Sequence, residues 1–295
     1  MLVILKRNLA LLAFTGLIVL ASCSKNNDAP ADAGKDPYGN PITPGGSTAN
    51  SSLQLATSTT FGSVFTDGNG KTLYAFAIDA NGTSGCTDGC LLTWPVYYAG
   101  NETAPAGVTA TDIATITRAD GKKQTTYKGW PLYYYSGDAT KADIKGDGIG
   151  GTWFVAKPDY SVMFAKTQLI GLNGKTYTAA GLEGTGETVY LTDAAGKTLY
   201  AYAPDTFNVN TYTKADLSNN ATWPIFESEI LNVPSIIKKD VIVQITSVGK
   251  KQLTYKGHPL YYFGPDAKRG ETKGVSVPVP GVWPILTVNT PALTN

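Results

Sequence analysis

A single histidine, His258, and three cysteines leave this sequence with few of the side chains from which catalytic dyads and metal centres are assembled. A general base needs an orienting partner and a nucleophile. No G-x-S-x-G, H-E-x-x-H or phosphate-cradling glycine loop supplies that setting. Charge is scarce too: charged residues make up 16 % of the chain, and the formal net charge is +1. Nucleic acid requires a basic face and anionic lipid a polybasic patch, so neither is expected as a partner. Beyond the first two dozen residues no stretch approaches the ~18 uninterrupted apolar residues of a membrane span. Helical periodicity is nearly missing, with only Lys214–Asn219 suggesting one turn. These absences point away from an enzyme and give no reason to expect a cofactor or metal.

What the sequence does have is repetition. The phrase G-x-x-L-Y-x-[FY]-x-x-D occurs at Gly70–Asp79, Gly129–Asp138, Gly196–Asp205 and Gly257–Asp266. A tryptophan follows each copy: Trp94, Trp153, Trp223 and Trp283. Alternation along a strand puts Leu73 and Ala75 on one face and Tyr74 and Phe76 on the other, so both faces are covered. The motif residues are Tyr74, Phe76 and Asp79; Tyr133, Tyr135 and Asp138; Tyr200, Tyr202 and Asp205; Tyr261, Phe263 and Asp266. Their expected role is structural. Buried tyrosines need a hydroxyl partner, and an aspartate at a strand end fixes an Asx-type turn. The competing reading is an aromatic platform for a flat ligand such as a sugar, with Trp94, Trp130, Trp153, Trp223 and Trp283 as its face.

Glycine-rich turns between strand-like runs predict an all-β fold of two tandem antiparallel modules, each with an internal hairpin-based pseudo-repeat. Module one (53–158) pairs Ser63–Thr66 with Thr72–Ile78 and Ile113–Arg118 with Lys122–Tyr127. Module two (189–295) repeats the order, pairing Asp240–Thr246 with Lys251–Tyr255. A connection (159–188) lies between them and is read as holding two further short strands around Gly174. A four-bladed ring is the other arrangement considered, although the copies recur at intervals longer than the ~40–50 residues of a propeller blade.

Ahead of the modules, Lys6 and Arg7 precede a short apolar run ending in Leu20-Ala21-Ser22-Cys23. Residues 1–22 read as a secretory signal, and the cysteine after them resembles the lipidation site of bacterial lipoproteins. Cys23 is the expected lipidated residue, and 23–52 a polar tether too poor in apolar side chains to fold. The chain is expected in the cell envelope, held to the membrane by its lipid, on the outer membrane if the host is Gram-negative.

Cys86 and Cys90 remain to pair with each other, as two cysteines in an exported chain normally do. Ala215 and Asn219 replace them in module two, which favours a staple over a shared redox centre. His258 stands where module one has Trp130, which argues against a catalytic role common to the repeats. Asp143–Gly148 carries oxygen ligands in a glycine-rich loop but lacks the carboxylate spacing of a calcium loop.

The residues now assembled resemble a known family: the bacterial secreted-repeat lipoproteins of unknown function with a Y-x-[FWY]-x-x-D motif. The likeness rests on Tyr74–Asp79, Tyr200–Asp205, the Cys86/Cys90 loop before Trp94-Pro95, the T-Y-K-G-W-P-L-Y-Y-Y stretch and Gly150-Gly151-Thr152-Trp153, in two tandem copies. It implies export and lipid anchoring and supplies no activity. The resulting expectation is a non-enzymatic binding or scaffold lipoprotein that engages a glycan or an envelope protein through its aromatic faces. The alternative is an accessory redox or electron-transfer protein that uses the Cys86/Cys90 loop or a bound cofactor.

Overall fold

Wherever Thr, Ile, Val and Tyr alternate between glycine turns, the chain is extended. The computed structural model describes residues 52–100 and 103–295, and its regular structure is mostly short antiparallel strands. The leader, Cys23 and nearly all of the tether lie outside the described residues.

Module one opens with a hairpin of β1 (Gln54–Ser58) and β2 (Gly62–Thr66). The chain reverses at Asp67–Gly70 into β3 (Tyr74–Phe76), which carries the first copy of the phrase. A single helical turn, α1 (Cys90–Thr93), precedes β4 (Ile113–Thr117), β5 (Lys123–Tyr127), β6 (Trp130–Tyr133) and β7 (Trp153–Val155). The sheet order is β4-β5-β6-β3-β7, so the strand of copy one lies between copy two and the segment after it. Tyr74 pairs with Tyr133 on one side and with Val155 on the other.

Module two has the same plan. Its β8 (Val162–Ile170) pairs with β9 (Thr176–Tyr177) and, along its length, with β10 (Glu187–Asp193). β11 (Ile242–Ser247), β12 (Lys250–Tyr255) and β13 (His258–Pro259) make the second sheet. Tyr200 bridges Tyr261 and Ile285, which extends that sheet in the order seen in module one.

Four expectations change. The strand predicted over Thr72–Ile78 stops at Phe76, and Ala77–Asn81 turns as a 3₁₀ segment, because Asp79 faces inward instead of alternating. The connection 159–188 carries β8, the counterpart of β1, so it is part of the second sheet system. Lys214–Asn219 forms turns, and among the described residues the one α-helical turn falls at Cys90–Thr93. Four blades are excluded by the strand order, since copies one and two share a sheet.

Each phrase buries both faces, as alternation requires. Leu73, Tyr74, Leu132 and Tyr133 have no exposed surface, nor do Leu199, Tyr200, Leu260 and Tyr261. The modules are continuous with each other: Ala75, Trp130 and Phe154 of module one share a cluster with Met163, Phe164 and Leu191.

Candidate functional site

The four motif tyrosines and four motif aspartates are joined crosswise. Tyr74 donates its hydroxyl to Asp138 and Tyr133 donates to Asp79, each at 2.6 Å. Tyr200 donates to Asp266 and Tyr261 to Asp205, again at 2.6 Å. Each copy therefore holds the aspartate of its sister. The other carboxylate oxygen closes a loop by accepting a backbone N–H from Gly85, Lys145, Thr211 or Lys273, six or seven residues further on. The expected Asx-type turn is thus replaced by a longer clasp. Burial pushes Asp79 up to about 7 and Asp266 up to about 6, and raises Asp138 and Asp205 as well.

The aromatics cross in the same sense. Phe76 stacks on Trp153 (3.9 Å, 5°), Trp153 on Trp94 (3.7 Å, 2°), and Tyr135 tilts over Trp94 (4.5 Å, 33°). Module two builds the same four-ring stack from Tyr202, Trp283, Trp223 and Phe263, with its two tryptophans 3.6 Å apart. The motif tyrosines meet these rings edge-on, as ring quadrupoles favour. Trp94, Trp130, Trp153, Trp223 and Trp283, the five expected as a ligand face, are only 2 to 5 % exposed. They are core. An indole sandwiched between rings has no free face to offer a sugar.

Cys86 and Cys90 are joined, with Cα atoms 5.4 Å apart, at the start of α1. Cys86 is fully buried, and Arg118 holds the loop by donating Nη2 to its carbonyl at 2.8 Å and Nη1 to Gln124 and to Ser84. Module two replaces that clamp with Asn210, which donates to Gln252 at 2.8 Å. A loop this short removes little chain entropy from the unfolded state. Cys86→Ala with Cys90→Ala is therefore expected to lower stability by about 2 kcal/mol, read as a shift in urea midpoint. A loss well above this would mean that the loop organises more than itself.

The remaining candidates are occupied otherwise. His258 contacts the carbonyl of Pro291 through Nε2 at 3.0 Å. In the Asp143–Gly148 loop, Asp143 binds Lys145 and the Thr140 N–H, and Asp147 accepts the Val155 N–H. Among the described residues no group of three or more His, Cys, Asp and Glu is placed to hold a metal ion.

One concave feature of ligand size lies where the modules meet, with a volume of about 530 Å³. Asp112, Thr126 and Lys128 line it from module one; Glu227, Ser228 and Tyr262 line it from module two. Tyr262 is fixed there by donating to Asp193 at 2.9 Å, and Lys197 covers its ring at 4.8 Å. No sequence signal marked this cleft. Its residues lie mostly outside the repeated phrase and come from segments that only the docking of the modules brings together.

A family described as a secreted repeat of unknown function matches the chain at 56–97, 114–157 and 243–287. Three segments of the chain carry this secreted repeat. The unit of the secreted repeat is thus a half-module: both halves of module one match, and so does the second half of module two. The unmatched quarter contains Ala215 and Asn219 in place of the cysteines. No curated protein and no solved structure matched the chain. A secreted family places the protein in the envelope or outside the cell, and no described helix is long and apolar enough to cross a membrane.

Proposed function

We propose that this secreted-repeat protein is a lipid-anchored, non-enzymatic binding protein of the cell envelope, and that its site is the cleft between the modules. Cys23 carries the lipid, and residues up to 52 hold the modules off the membrane. The cleft carries the reading. At about 530 Å³ it is of the size that small ligands fill, and it lies between two packed bodies, where such sites concentrate. Its lining mixes carboxylates and hydroxyls with the edges of Tyr160, Phe226 and Tyr262, a surface suited to a neutral saccharide. The aromatic contribution therefore comes from cleft tyrosines and not from the stacked tryptophans.

The Cys86–Cys90 loop takes a structural part in this reading. Cys86 is buried and serves as the anchor for Arg118.

A glycan array followed by calorimetry on the purified protein tests the proposal. Asp112→Ala with Glu227→Ala, both outside the core, should weaken saccharide binding at least tenfold and leave the melting temperature within about 2 °C. Saccharide binding that survives this pair, or an array with no hit alongside capture of an envelope protein, would overturn it.

A further inference from the structure

The surface between the modules joins unlike faces. Module one presents the corner Gly129-Trp130. Module two presents the turn Asp193–Gly196 and the side chain of Arg269. The Trp130 indole donates to the Ala194 carbonyl at 3.0 Å, and the Arg269 guanidinium lies 4.5 Å over the Trp130 ring. Gly129 and Gly196, with φ of 75° and 85°, leave room for that guanidinium; a Cβ on either would collide with it. Asp79 of module one and Asp193 of module two add electrostatic attraction, while burial lowers the arginine to about 10.

Such a surface has two counterparts at the ends of the pair. The corner of module two is Gly257-His258, with a histidine where module one has tryptophan. Its C-terminal segment covers that corner. Leu293 donates its N–H to Lys256 O at 2.9 Å, and the Lys256 ammonium donates to Val288 O at 2.6 Å and Thr290 O at 2.9 Å. His258 meets Pro291 O. The receiving turn of module one is Asp67–Gly70, closed by the same Asp67 bonds to residues 69 and 71 that Asp193 makes to 195 and 197. Ala142 donates to Gly70 O as Gly270 donates to Gly196 O, which aligns Lys141 with Arg269. Lys141 and Gly68 are exposed.

We propose that Trp130 and Arg269 specify a head-to-tail docking surface between secreted-repeat modules, and that the chain ends its own array at both faces. A heterologous contact of this kind propagates unless it is stopped, and repeat arrays need atypical ends. Here the stops are chemical. Lysine replaces the planar guanidinium that stacks on an indole, histidine replaces the indole, and residues 288–293 fill the corner. The occupant that the Asp193–Gly196 turn and Arg269 select is the Gly-Trp-Pro corner of the preceding module.

Two arms test this. Lys141→Arg and His258→Trp, combined with truncation after Thr287, should convert the chain into concentration-dependent oligomers by light scattering. Adding Trp130→His to that variant should redirect or weaken the assembly. In the otherwise intact chain, Trp130→His with Arg269→Ala should increase the radius of gyration by X-ray scattering while each module keeps its near-ultraviolet signal. A folded truncated variant of wild-type mass would overturn the proposal. If that variant does not fold, an unchanged radius of gyration in the second arm overturns it equally.

Discussion

Trp153→Ala is expected to destabilise the protein by about 3–5 kcal/mol, the range for removing a large buried aromatic side chain. Trp153 has both ring faces covered, by Phe76 at 3.9 Å and Trp94 at 3.7 Å, and Tyr133 meets it edge-on at 5.2 Å. Its backbone pairs with that of Phe76 between β7 and β3. The cavity left by alanine would therefore be lined by three rings whose own positions are fixed by the sheet, which limits collapse. Trp153→Phe should cost less, about 1–2 kcal/mol, because one ring still separates Phe76 from Trp94. Urea denaturation followed by far-ultraviolet circular dichroism measures both. A loss under 1 kcal/mol for the alanine variant would show that Trp153 is not core, and would restore the exposed ligand face that the sequence had suggested.

That prediction turns on what the sequence could reveal. The phrase was visible, and so was the burial of both faces of its strand, because alternation is a local property. The turn at Asp67–Gly70 and the hairpins β4–β5 and β11–β12 were visible for the same reason: their partners are neighbours in the chain. The crossing of the copies was not. Nothing within G-x-x-L-Y-x-[FY]-x-x-D says that Tyr74 will reach Asp138 and not an atom of its own turn, since that depends on β3 being inserted between β6 and β7. The tryptophans were ambiguous on the same ground. An indole following a strand suits a ligand platform or a core, and only the sheet order that places Trp94 against Trp153 decides. Strands on either side of Gly174 were legible, but the length of β8 and its pairing with β10 were not, because its residues run from buried Val162–Ala165 into half-exposed positions, a mixed pattern with no clean period. The cleft had no local signature at all, as its two walls belong to different modules.

The clasp aspartates give the protein an unusual pH dependence, with the more stable side on the acid side of neutrality. Asp79 is completely buried, accepts the Tyr133 hydroxyl and the Gly85 N–H, and is pushed by burial from an ordinary 3.8 to about 7. Asp266 follows to about 6. Between about pH 4 and these values the folded chain holds protons that the unfolded chain has released. Stability therefore falls as pH rises through that window and levels off above about 7. For Asp79 alone the change is on the order of 3–4 kcal/mol. Carboxylates with lowered values, such as Asp143 at about 2, act only below the unfolded carboxylate range and leave the window from pH 5 to 8 untouched. The melting temperature should accordingly be higher at pH 5 than at pH 8. Asp79→Asn, which keeps the acceptor for Gly85 and cannot ionise, should flatten most of that slope and raise the melting temperature at pH 8. A melting temperature that is equal at the two pH values, or higher at pH 8, would mean that Asp79 stays ionised in its clasp. In that case Arg118 and Arg269, whose charges favour its ionised form, would hold more of its charge than burial opposes.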